Sequence, residues 1–276
     1  MRIVVAEDVG FCFGVKRAVE HVKELLSKGE KVYTDGDIVH NPLVMKELEE
    51  LGLKKINDIP EDSKNSIFVV RAHGLPPVRI NHYKKHFKEV VDLTCPIVEA
   101  LFKKAKNASK KGKVVVFGKR DHPEMKALSG YAPHALITLS PIPLKEEIVY
   151  IMAQTTAPLE SFKEFVAEEI KMSDFAKAEI FNTICDVTLR RERIAKEMSR
   201  TCDIVFVVGG KHSSNTGKLF QIATSNGNAV WIEKPEDIER IPEVECVGVI
   251  SGTSTPLYIV QNVIKKLKVL GGEEDE

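Results

Sequence analysis

The chain begins with the stretch MRIVVAEDVGFCFGVKRAVEHVKELLSKG (residues 1–29), which contains three features that recur along the sequence. A short run rich in Val and Ile predicts a strand, and Cys12 follows it in a glycine-flanked segment. The next stretch has apolar residues at helical spacing and ends on Gly29, a residue typical of helix ends. Strand, polar exit and helix in this order predict an α/β fold with mostly parallel sheets.

Ten further apolar runs predict strands along the rest of the chain. They are KVY at 31–33, IFVV at 67–70, EVVDL at 89–93, KVVVFG at 113–118, ALITL at 135–139, EIVYIM at 147–152, AEIFN at 178–182, DIVFVV at 203–208, AVWIE at 229–233 and CVGVIS at 246–251. Continuous apolar runs of this kind are typical of strands covered on both faces. Eleven strands would make an unusually wide single sheet, so we expect several smaller ones.

Three cysteines suggest how the chain divides. Cys12, Cys95 and Cys185 occur at intervals of 83 and 90 residues, and each lies between a predicted strand and a predicted helix. This spacing predicts three α/β modules of roughly 90 residues, within the usual size range of domains. Residues at the mouths of separate strand–helix units can converge in space, so three thiolates could hold a metal or an iron–sulfur cluster with one position open.

The predicted module boundaries follow from these cysteines. The first module covers residues 13–94 and the second covers residues 95–184. The third covers residues 185–276 together with residues 1–12, because the N-terminal strand could complete the third sheet. No linker is rich in Gly and Ser, so we expect the modules to pack directly against one another.

Composition excludes several classes of partner. The 276 residues include 40 basic and 40 acidic side chains, so no net charge draws the molecule to nucleic acid or to a membrane surface. No apolar stretch approaches the ~20 residues that a membrane span needs, and the N-terminus lacks the apolar region of a secretory signal. Five widely spaced cysteines argue against a disulfide framework. We therefore expect a cytoplasmic protein in a reducing compartment.

The surroundings of the cysteines favour an iron–sulfur cluster over zinc. Glycines flank Cys12 and allow close approach of the backbone to a bulky group, and a proline follows Cys95, as at many iron–sulfur ligands. Structural zinc sites prefer closely spaced cysteine pairs, which do not occur here. Cys202 and Cys246 lie within apolar strand-like runs, and we interpret them as buried core residues.

Polar residues at the predicted strand exits suggest an anion site. Ligands of open α/β sheets bind beyond the carboxyl ends of the strands, where helix N-termini present unpaired N–H groups. Capping of helices alone could explain single Ser or Thr residues, but not the whole set. The candidates are His40, His73, His122, Glu124, Thr155, Thr156, Ser213, Ser214, Asn215 and Ser254.

We expect two other groups of charged or metal-capable residues to face solvent. His82 and His86 have a metal-capable spacing on a predicted helix, but lysines surround them, which indicates a solvated face. Arg190, Arg191 and Arg193 predict a basic helix face that contributes to solubility or meets an acidic electron donor.

Eight short motifs together resemble one known family. In chain order they are GFCFGV, IVHNP, RAHG, LTCPIV, HPE, QTT, TIC and SSNT. Their order and content resemble 4-hydroxy-3-methylbut-2-enyl diphosphate reductase, the last enzyme of the non-mevalonate isoprenoid pathway, over nearly the whole chain. The resemblance implies three α/β modules around a central 4Fe–4S cluster. It also implies two-electron, proton-assisted removal of an allylic hydroxyl, giving isopentenyl and dimethylallyl diphosphate.

The resemblance also implies roles for individual residues. Cys12, Cys95 and Cys185 would ligate the cluster and leave one iron open for the substrate, and Glu124 would be the proton donor. Thr155 would lie near the substrate hydroxyl. The diphosphate would be bound by His40, His73, His122, Ser213, Ser214, Asn215 and Ser254. The implied partner is a reduced electron donor of the ferredoxin or flavodoxin type.

Two other functions stay open on the sequence. One is a non-catalytic iron–sulfur sensor or electron carrier, which would not need an acid beside an anion pocket. The other is a zinc hydrolase, which metal analysis would distinguish. The segment DVTLRRER after Cys185 departs from the commoner family pattern, as do the residues after HPE and His212. These departures leave the predicted ligands and the predicted acid unchanged.

Overall fold

The computed structural model describes residues 1–272, which contain twelve strands and nine α-helices. The strands are β1 Arg2–Val5, β2 Val32–Thr34, β3 Lys54–Lys55, β4 Ile67–Val70, β5 Glu89–Asp92, β6 Lys113–Phe117, β7 Leu136–Thr138, β8 Ile148–Ala153, β9 Lys177–Phe181, β10 Ile204–Val208, β11 Ala229–Ile232 and β12 Cys246–Ser251. The helices are α1 Phe13–Ser27, α2 Pro42–Glu50, α3 Pro77–His86, α4 Pro96–Ala108, α5 Pro123–Tyr131, α6 Leu159–Met172, α7 Asp186–Thr201, α8 Ser214–Asn226 and α9 Leu257–Leu270.

The strands form three four-stranded sheets, and every pairing between strands in the described part of the chain is parallel. The strand orders are β3-β2-β4-β5, β7-β6-β8-β9 and β1-β12-β10-β11. This confirms the predicted α/β class with three small parallel sheets. The sequence patterns found eleven of the twelve strands. The missing one, β3, consists of two exposed lysines and has no apolar pattern to reveal it.

The N-terminal strand belongs to the third sheet, as predicted. β1 pairs with β12, with Arg2 opposite Cys246 and Val5 opposite Val249. Both strands continue into loops that carry predicted site residues. Because the carboxyl ends of parallel strands meet at one edge of the sheet, these two loops lie at the same edge. The N-terminal strand is therefore part of a sheet whose other strands come from the last third of the chain.

The chain divides into two compact units. One contains Met1–Lys16, Val39–Glu47 and the chain from Asp186 onward, and it carries the sheet of β1, β10, β11 and β12. The other contains Arg17–Ile38 and Leu48–Cys185, and it carries the other two sheets. Each sheet uses strands from one predicted module. The predicted boundaries 13–94, 95–184 and 185–276 plus 1–12 stay a prediction, and residues 273–276 lie outside the described residues.

In the two-sheet unit, α4 and α5 cover the sheet of β6–β9. Leu101, Phe102, Met125 and Leu128 are among its fully buried side chains, and burying each stabilises the fold by roughly 1.5–3 kcal/mol. Gly74, the turn residue of the RAHG motif, has φ +78°, and a Cβ there would lie 2.6 Å from Phe102. Packing on α4 therefore requires glycine directly after His73.

In the other unit, helices cover both faces of the sheet. Ala195 and Met198 of α7 pack with Leu219 of α8 on one face. Val260 and Val263 of α9 pack on Val247 and Val249 of β12 on the other face. A sheet covered on both faces has continuously apolar strands, and this explains the run CVGVIS in β12.

No helix within residues 1–272 is both long enough and apolar enough to cross a membrane.

Candidate active site

A buried carboxyl group lies at the start of α5. Pro123 occupies the first helical position, and His122 precedes it as the N-cap, with Nδ1 accepting a hydrogen bond from the backbone N–H of Glu124 at 3.2 Å. The side chain of Glu124 is 1% exposed. Thr155, just after β8, donates to it from its backbone N–H at 2.8 Å and from Oγ1 at 2.6 Å. Each carboxyl oxygen thus has one donor from the same residue.

Burial controls the protonation of this carboxyl group. Removal from water raises the pKa of Glu124 from 4.5 to about 7, and the two hydrogen bonds from Thr155 oppose this rise only in part. A carboxyl group with a pKa near neutrality is suited to general acid catalysis, because it is protonated at working pH and still gives up its proton. The geometry therefore supports an acid role at this position.

The same threonine connects the acid to a predicted ligand. The backbone N–H of Cys185 donates to the carbonyl of Thr155 at 2.9 Å. Two residues before Cys185, Thr183 Oγ1 accepts a hydrogen bond from the N–H of Ala153 at 2.9 Å. The same hydroxyl donates to the carbonyl of Ala153 at 2.5 Å. The QTT and TIC segments thus run side by side beyond the paired strands β8 and β9, so a shift of Cys185 would be transmitted to the acid.

Cys95 lies in the same unit, directly before α4. Its backbone N–H donates to the carbonyl of Ala72 at 2.9 Å. Burial raises the pKa of the Cys95 thiol, and the nearby Cys185 and Glu124 raise it further. Hydrogen bonds from the first N–H groups of α4 act in the opposite direction. Two predicted cluster ligands and the predicted acid are therefore close enough to interact electrostatically.

Two predicted histidines lie against each other in this unit. The ring centroids of His73 and His122 are 5.7 Å apart, and the rings are nearly perpendicular at 78°. Because Nδ1 of His122 accepts a backbone hydrogen bond, the neutral ring carries its proton on Nε2. His122 can thus cap α5 with one nitrogen and donate a hydrogen bond to a ligand with the other.

In the other unit, the loop after β12 is tied to the IVHNP segment. Ser254 Oγ donates to the carbonyl of His40 at 3.1 Å, and Asn41 Nδ2 donates to the carbonyl of Ser254 at 2.9 Å. Asn41 Oδ1 also caps α2 by accepting from the N–H groups of Leu43 and Val44. These bonds bring the predicted residues His40 and Ser254 next to each other, with Asn41 as the buried connector.

The SSNT motif begins α8. Ser213 is the N-cap, and its hydroxyl accepts from the N–H of Thr216 at 3.3 Å. Asn215 is 3% exposed, yet neither its side-chain nitrogen nor its oxygen has a hydrogen-bond partner. Buried amides are normally paired, so an unpaired one at a helix N-terminus indicates a place for a polar ligand. Ser213, Ser214 and Asn215 together fit an anion.

Cys12 is anchored by the loop that follows β12. Its backbone N–H donates to the carbonyl of Thr253 at 3.0 Å, and its own carbonyl accepts from Lys16 in the first turn of α1. Gly10 has φ +86°, a conformation that favours glycine, and its N–H donates to Ser251 Oγ at 2.8 Å. The glycine before Cys12 is therefore required by the backbone turn.

Arg191 corrects the interpretation of α7 as a solvated basic face. Its side chain is fully buried, and Nη2 donates to the carbonyl of Gly10 and to Asp8 Oδ1, both at 2.9 Å. Nη1 donates to the carbonyl of Ser251 at 3.0 Å. Burial raises the pKa of Asp8, but Arg191 and then Arg190 outweigh this and hold it below its ordinary value. Arg191 thus fastens the loop that leads to Cys12.

A signal for this role was present in the sequence. Arg191 shares one face of α7 with Ala195 and Met198, at the spacing i, i+4, i+7 of a buried helix stripe. The neighbouring arginines alone suggest a basic face, whereas this periodicity indicates a buried side chain at Arg191. Arg193, by contrast, is exposed, and so is His82 on α3, whereas His86 on the same helix is half-buried.

The three predicted ligand cysteines share one local setting. Cys12, Cys95 and Cys185 are half-buried free thiols, and each immediately precedes the first residue of a helix, α1, α4 and α7 respectively. The positive end of a helix favours an anionic ligand such as a thiolate. The donor set and its placement therefore fit an iron–sulfur cluster.

Within residues 1–272, no three His, Cys, Asp or Glu side chains are grouped so that they could hold one metal ion. A four-iron cluster differs from a single ion, because each thiolate binds a different iron and the ligands stand farther apart. That all three cysteines bind the same cluster stays a prediction.

Comparison with known proteins identifies relatives over the whole chain. A family model described as LytB protein matches residues 3–268. The 4-hydroxy-3-methylbut-2-enyl diphosphate reductase of Thermotoga maritima is 52% identical over 276 residues, which cover 100% of this chain and 99% of the relative. The reductase of the same name from Kosmotoga olearia is 42% identical, with 97% of this chain and 95% of the relative covered.

Solved structures agree with these relatives. One is described as (E)-4-hydroxy-3-methyl-but-2-enyl diphosphate reductase, the terminal enzyme of the non-mevalonate pathway. It is 34% identical with a TM-score of 0.74, covering 98% of this chain and 100% of that one. The E-1-hydroxy-2-methyl-but-2-enyl-4-diphosphate reductase of Plasmodium falciparum is 27% identical with a TM-score of 0.87, covering 96% and 87%.

Proposed function

This chain belongs to the LytB family of 4-hydroxy-3-methylbut-2-enyl diphosphate reductases, and from this premise we propose how its own residues carry out the reaction. The enzyme removes the allylic hydroxyl of the diphosphate substrate with two electrons and two protons, and it releases isopentenyl and dimethylallyl diphosphate. The observation that carries the proposal is the buried Glu124, whose pKa of about 7 lies in the range of a general acid and whose partner Thr155 also bonds Cys185.

Cys12, Cys95 and Cys185 hold a 4Fe–4S cluster in this proposal. Their common position before a helix start supports it, as does the free thiol state of all three. When bound, the cluster supplies electrons one at a time and an iron without a protein ligand, which acts as a Lewis acid toward the substrate oxygen. The electrons come from a reduced ferredoxin or flavodoxin-type partner.

The diphosphate is bound by neutral donors and by the N-terminus of α8. Ser213, Ser214 and Asn215 contribute from the helix start, where the unpaired amide of Asn215 supplies a donor for a phosphate oxygen. His40 and Ser254 contribute from the two loops that hydrogen bonds hold together. His73 and His122 complete the set, and His122 presents a proton on Nε2.

Glu124 delivers the proton that the departing hydroxyl needs. Its carboxyl group is protonated at neutral pH to a useful degree because burial disfavours the charged form. Once the proton has left, the two hydrogen bonds from Thr155 stabilise the carboxylate in place. Thr155 Oγ1 also lies beside the acid, where the substrate hydroxyl must approach. A second proton then reaches either end of the allyl fragment, which accounts for two products.

A conservative replacement of the acid tests this proposal. The anaerobically reconstituted holoenzyme, with a chemical reductant and the diphosphate substrate, should form both products. Glu124→Gln should keep the iron and sulfide content and substrate binding but lose turnover by about 10²–10⁴-fold. Glu160→Gln is the matched control, because Glu160 also lies in the first turn of a helix but is exposed. Full turnover by Glu124→Gln would remove Glu124 from this role.

The same assay addresses the other candidate functions. An iron–sulfur protein that exchanges electrons without forming product would be a carrier or sensor. Protein that contains zinc without iron and sulfide would support a hydrolase. The buried acid and the unpaired amide of Asn215 favour the reductase over a carrier, because electron transfer alone uses neither.

A further inference from the structure

The two cysteines that the candidate site does not use lie side by side. Cys202 follows the last residue of α7, Cys246 is the first residue of β12, and their sulfur atoms are 2.9 Å apart. Both are buried and both are free thiols. The sequence interpretation as core residues is right about burial, but residues 44 positions apart gave no sign of contact.

Hydrogen bonds to the main chain of both cysteines fix their positions relative to each other. The N–H of Asp203 donates to the carbonyl of Cys246 at 3.0 Å, and Asp203 Oδ2 accepts from the N–H of Cys246 at 2.8 Å. The N–H of Cys202 continues the helical pattern by donating to Met198 at 2.8 Å. A disulfide bond is about 2.05 Å long, so the sulfurs need to approach by only about 0.9 Å.

The surroundings distinguish the two sulfurs. Nη2 of the exposed Arg2 donates a hydrogen bond to the sulfur of Cys246 at 3.5 Å. Burial and the adjacent Cys246 raise the pKa of Cys202 to about 11. Cys246 is thus the sulfur that attacks first, and Cys202 resolves.

We propose that Cys202 and Cys246 are a reversible dithiol–disulfide site whose oxidant is a low-molecular-weight disulfide. The Cys246 thiolate attacks one sulfur of the oxidant, forms a mixed disulfide and releases one thiolate. The Cys202 sulfur, on losing its proton, then attacks Cys246 and expels the second. Two protein thiols are oxidised by two electrons, the oxidant is reduced to two thiols, and the protein protons pass to them.

The position of the pair predicts its effect. Cys202 and Cys246 lie at the amino ends of β10 and β12, whereas the SSNT motif and the Cys12 anchor follow the carboxyl ends of these strands. A five-residue strand separates the two edges by about 16 Å. The disulfide should therefore stabilise the unit without changing the anion site. It closes a long chain segment, and we expect the melting temperature to rise by about 5–15 °C.

Peptide mapping of the wild-type holoenzyme tests the proposal directly. The anaerobic enzyme is treated with oxidised glutathione, unfolded in the presence of an alkylating agent and digested with trypsin. Cys202 falls in peptide 201–211 and Cys246 in peptide 241–265, and neither contains another cysteine. We expect the two peptides joined, with the loss of two hydrogen atoms, and a higher melting temperature that dithiothreitol reverses. Recovery of both peptides fully alkylated would overturn the proposal.

Single variants test the order of attack. Cys202→Ser should accumulate a glutathione adduct on Cys246, whereas Cys246→Ser should leave Cys202 largely unmodified. The double variant should show no rise in melting temperature with oxidant. The reverse pattern of adducts would contradict the assignment of Cys246 as attacker. A joined peptide pair without thermal stabilisation, or with loss of iron, would contradict the predicted independence of the two edges.

Discussion

Thr155 supplies both hydrogen bonds that the carboxyl group of Glu124 accepts, at 2.8 Å from its backbone N–H and 2.6 Å from Oγ1. Its carbonyl accepts from Cys185, so one residue positions the acid and a predicted cluster ligand together.

The protonation of Glu124 should be visible in the pH dependence of stability. Its pKa in the folded protein is about 7, above the ordinary 4.5, so the folded state binds the extra proton between these values. The stabilisation is complete below pH 4.5 and is lost as the pH rises through 7, by about 3 kcal/mol. Denaturant unfolding of wild type and Glu124→Gln across this range should show the loss only in wild type. Parallel pH profiles would contradict the raised pKa.

Replacing Thr155 by Val should move the same titration upward. The substitution removes the Oγ1 donor and leaves one buried carboxyl oxygen without a partner, which disfavours the anion. The pKa of Glu124, followed by the infrared carboxyl band, should rise above about 7, and turnover should fall. Thr155→Ser retains the hydroxyl and should restore both. An unchanged pKa in Thr155→Val would show that this hydrogen bond does not tune the acid.

Arg191→Met should destabilise the fold and weaken retention of iron. Removing the guanidinium leaves the carbonyls of Gly10 and Ser251 and the carboxylate of Asp8 without their donor, at a cost of about 3–5 kcal/mol. The loop before Cys12 then loses its anchor. Arg193→Met is the control, because Arg193 is exposed on the same helix. Unfolding free energy and iron per chain measure the two effects, and equal values for both variants would contradict the role of Arg191.

Asn215→Ala should weaken diphosphate binding more than it weakens the fold. The amide makes no hydrogen bond within the protein, so its removal forfeits no internal bond. Loss of one donor to the anion should reduce affinity by about tenfold to a hundredfold. Calorimetric binding of inorganic diphosphate measures this, with Asn226→Ala at the other end of α8 as the control. Unchanged affinity in Asn215→Ala would place the diphosphate elsewhere.

The sequence predicted the parts of the fold that depend on local pattern. Apolar runs such as KVVVFG and DIVFVV locate strands because sheets covered on both faces need continuous apolar residues. The placement of β1 in the third sheet was also predicted. The exposed strand Lys54–Lys55 was missed, since its existence depends on pairing with β2 and not on its own residues.

Candidate site residues could be chosen from the sequence by residue type, but a role that depends on burial could not. Cysteines, histidines and the acid of the HPE motif were all identified as candidates. Arg191 was misjudged because charge suggests solvent, whereas its partners Asp8, Gly10 and Ser251 come from distant segments. The contact between Cys202 and Cys246 was invisible for the same reason. Tertiary partners of this kind leave little trace in local sequence.

Iron and sulfide analysis of anaerobically purified protein tests whether Cys12, Cys95 and Cys185 hold one 4Fe–4S cluster. We expect about four iron and four sulfide ions per chain in the wild type. We also expect a marked loss of both on replacing Cys12, Cys95 or Cys185 by Ser, and none for Cys202→Ser. Wild-type protein that carries zinc without sulfide, or a full cluster that survives in all three ligand variants, would contradict this assignment.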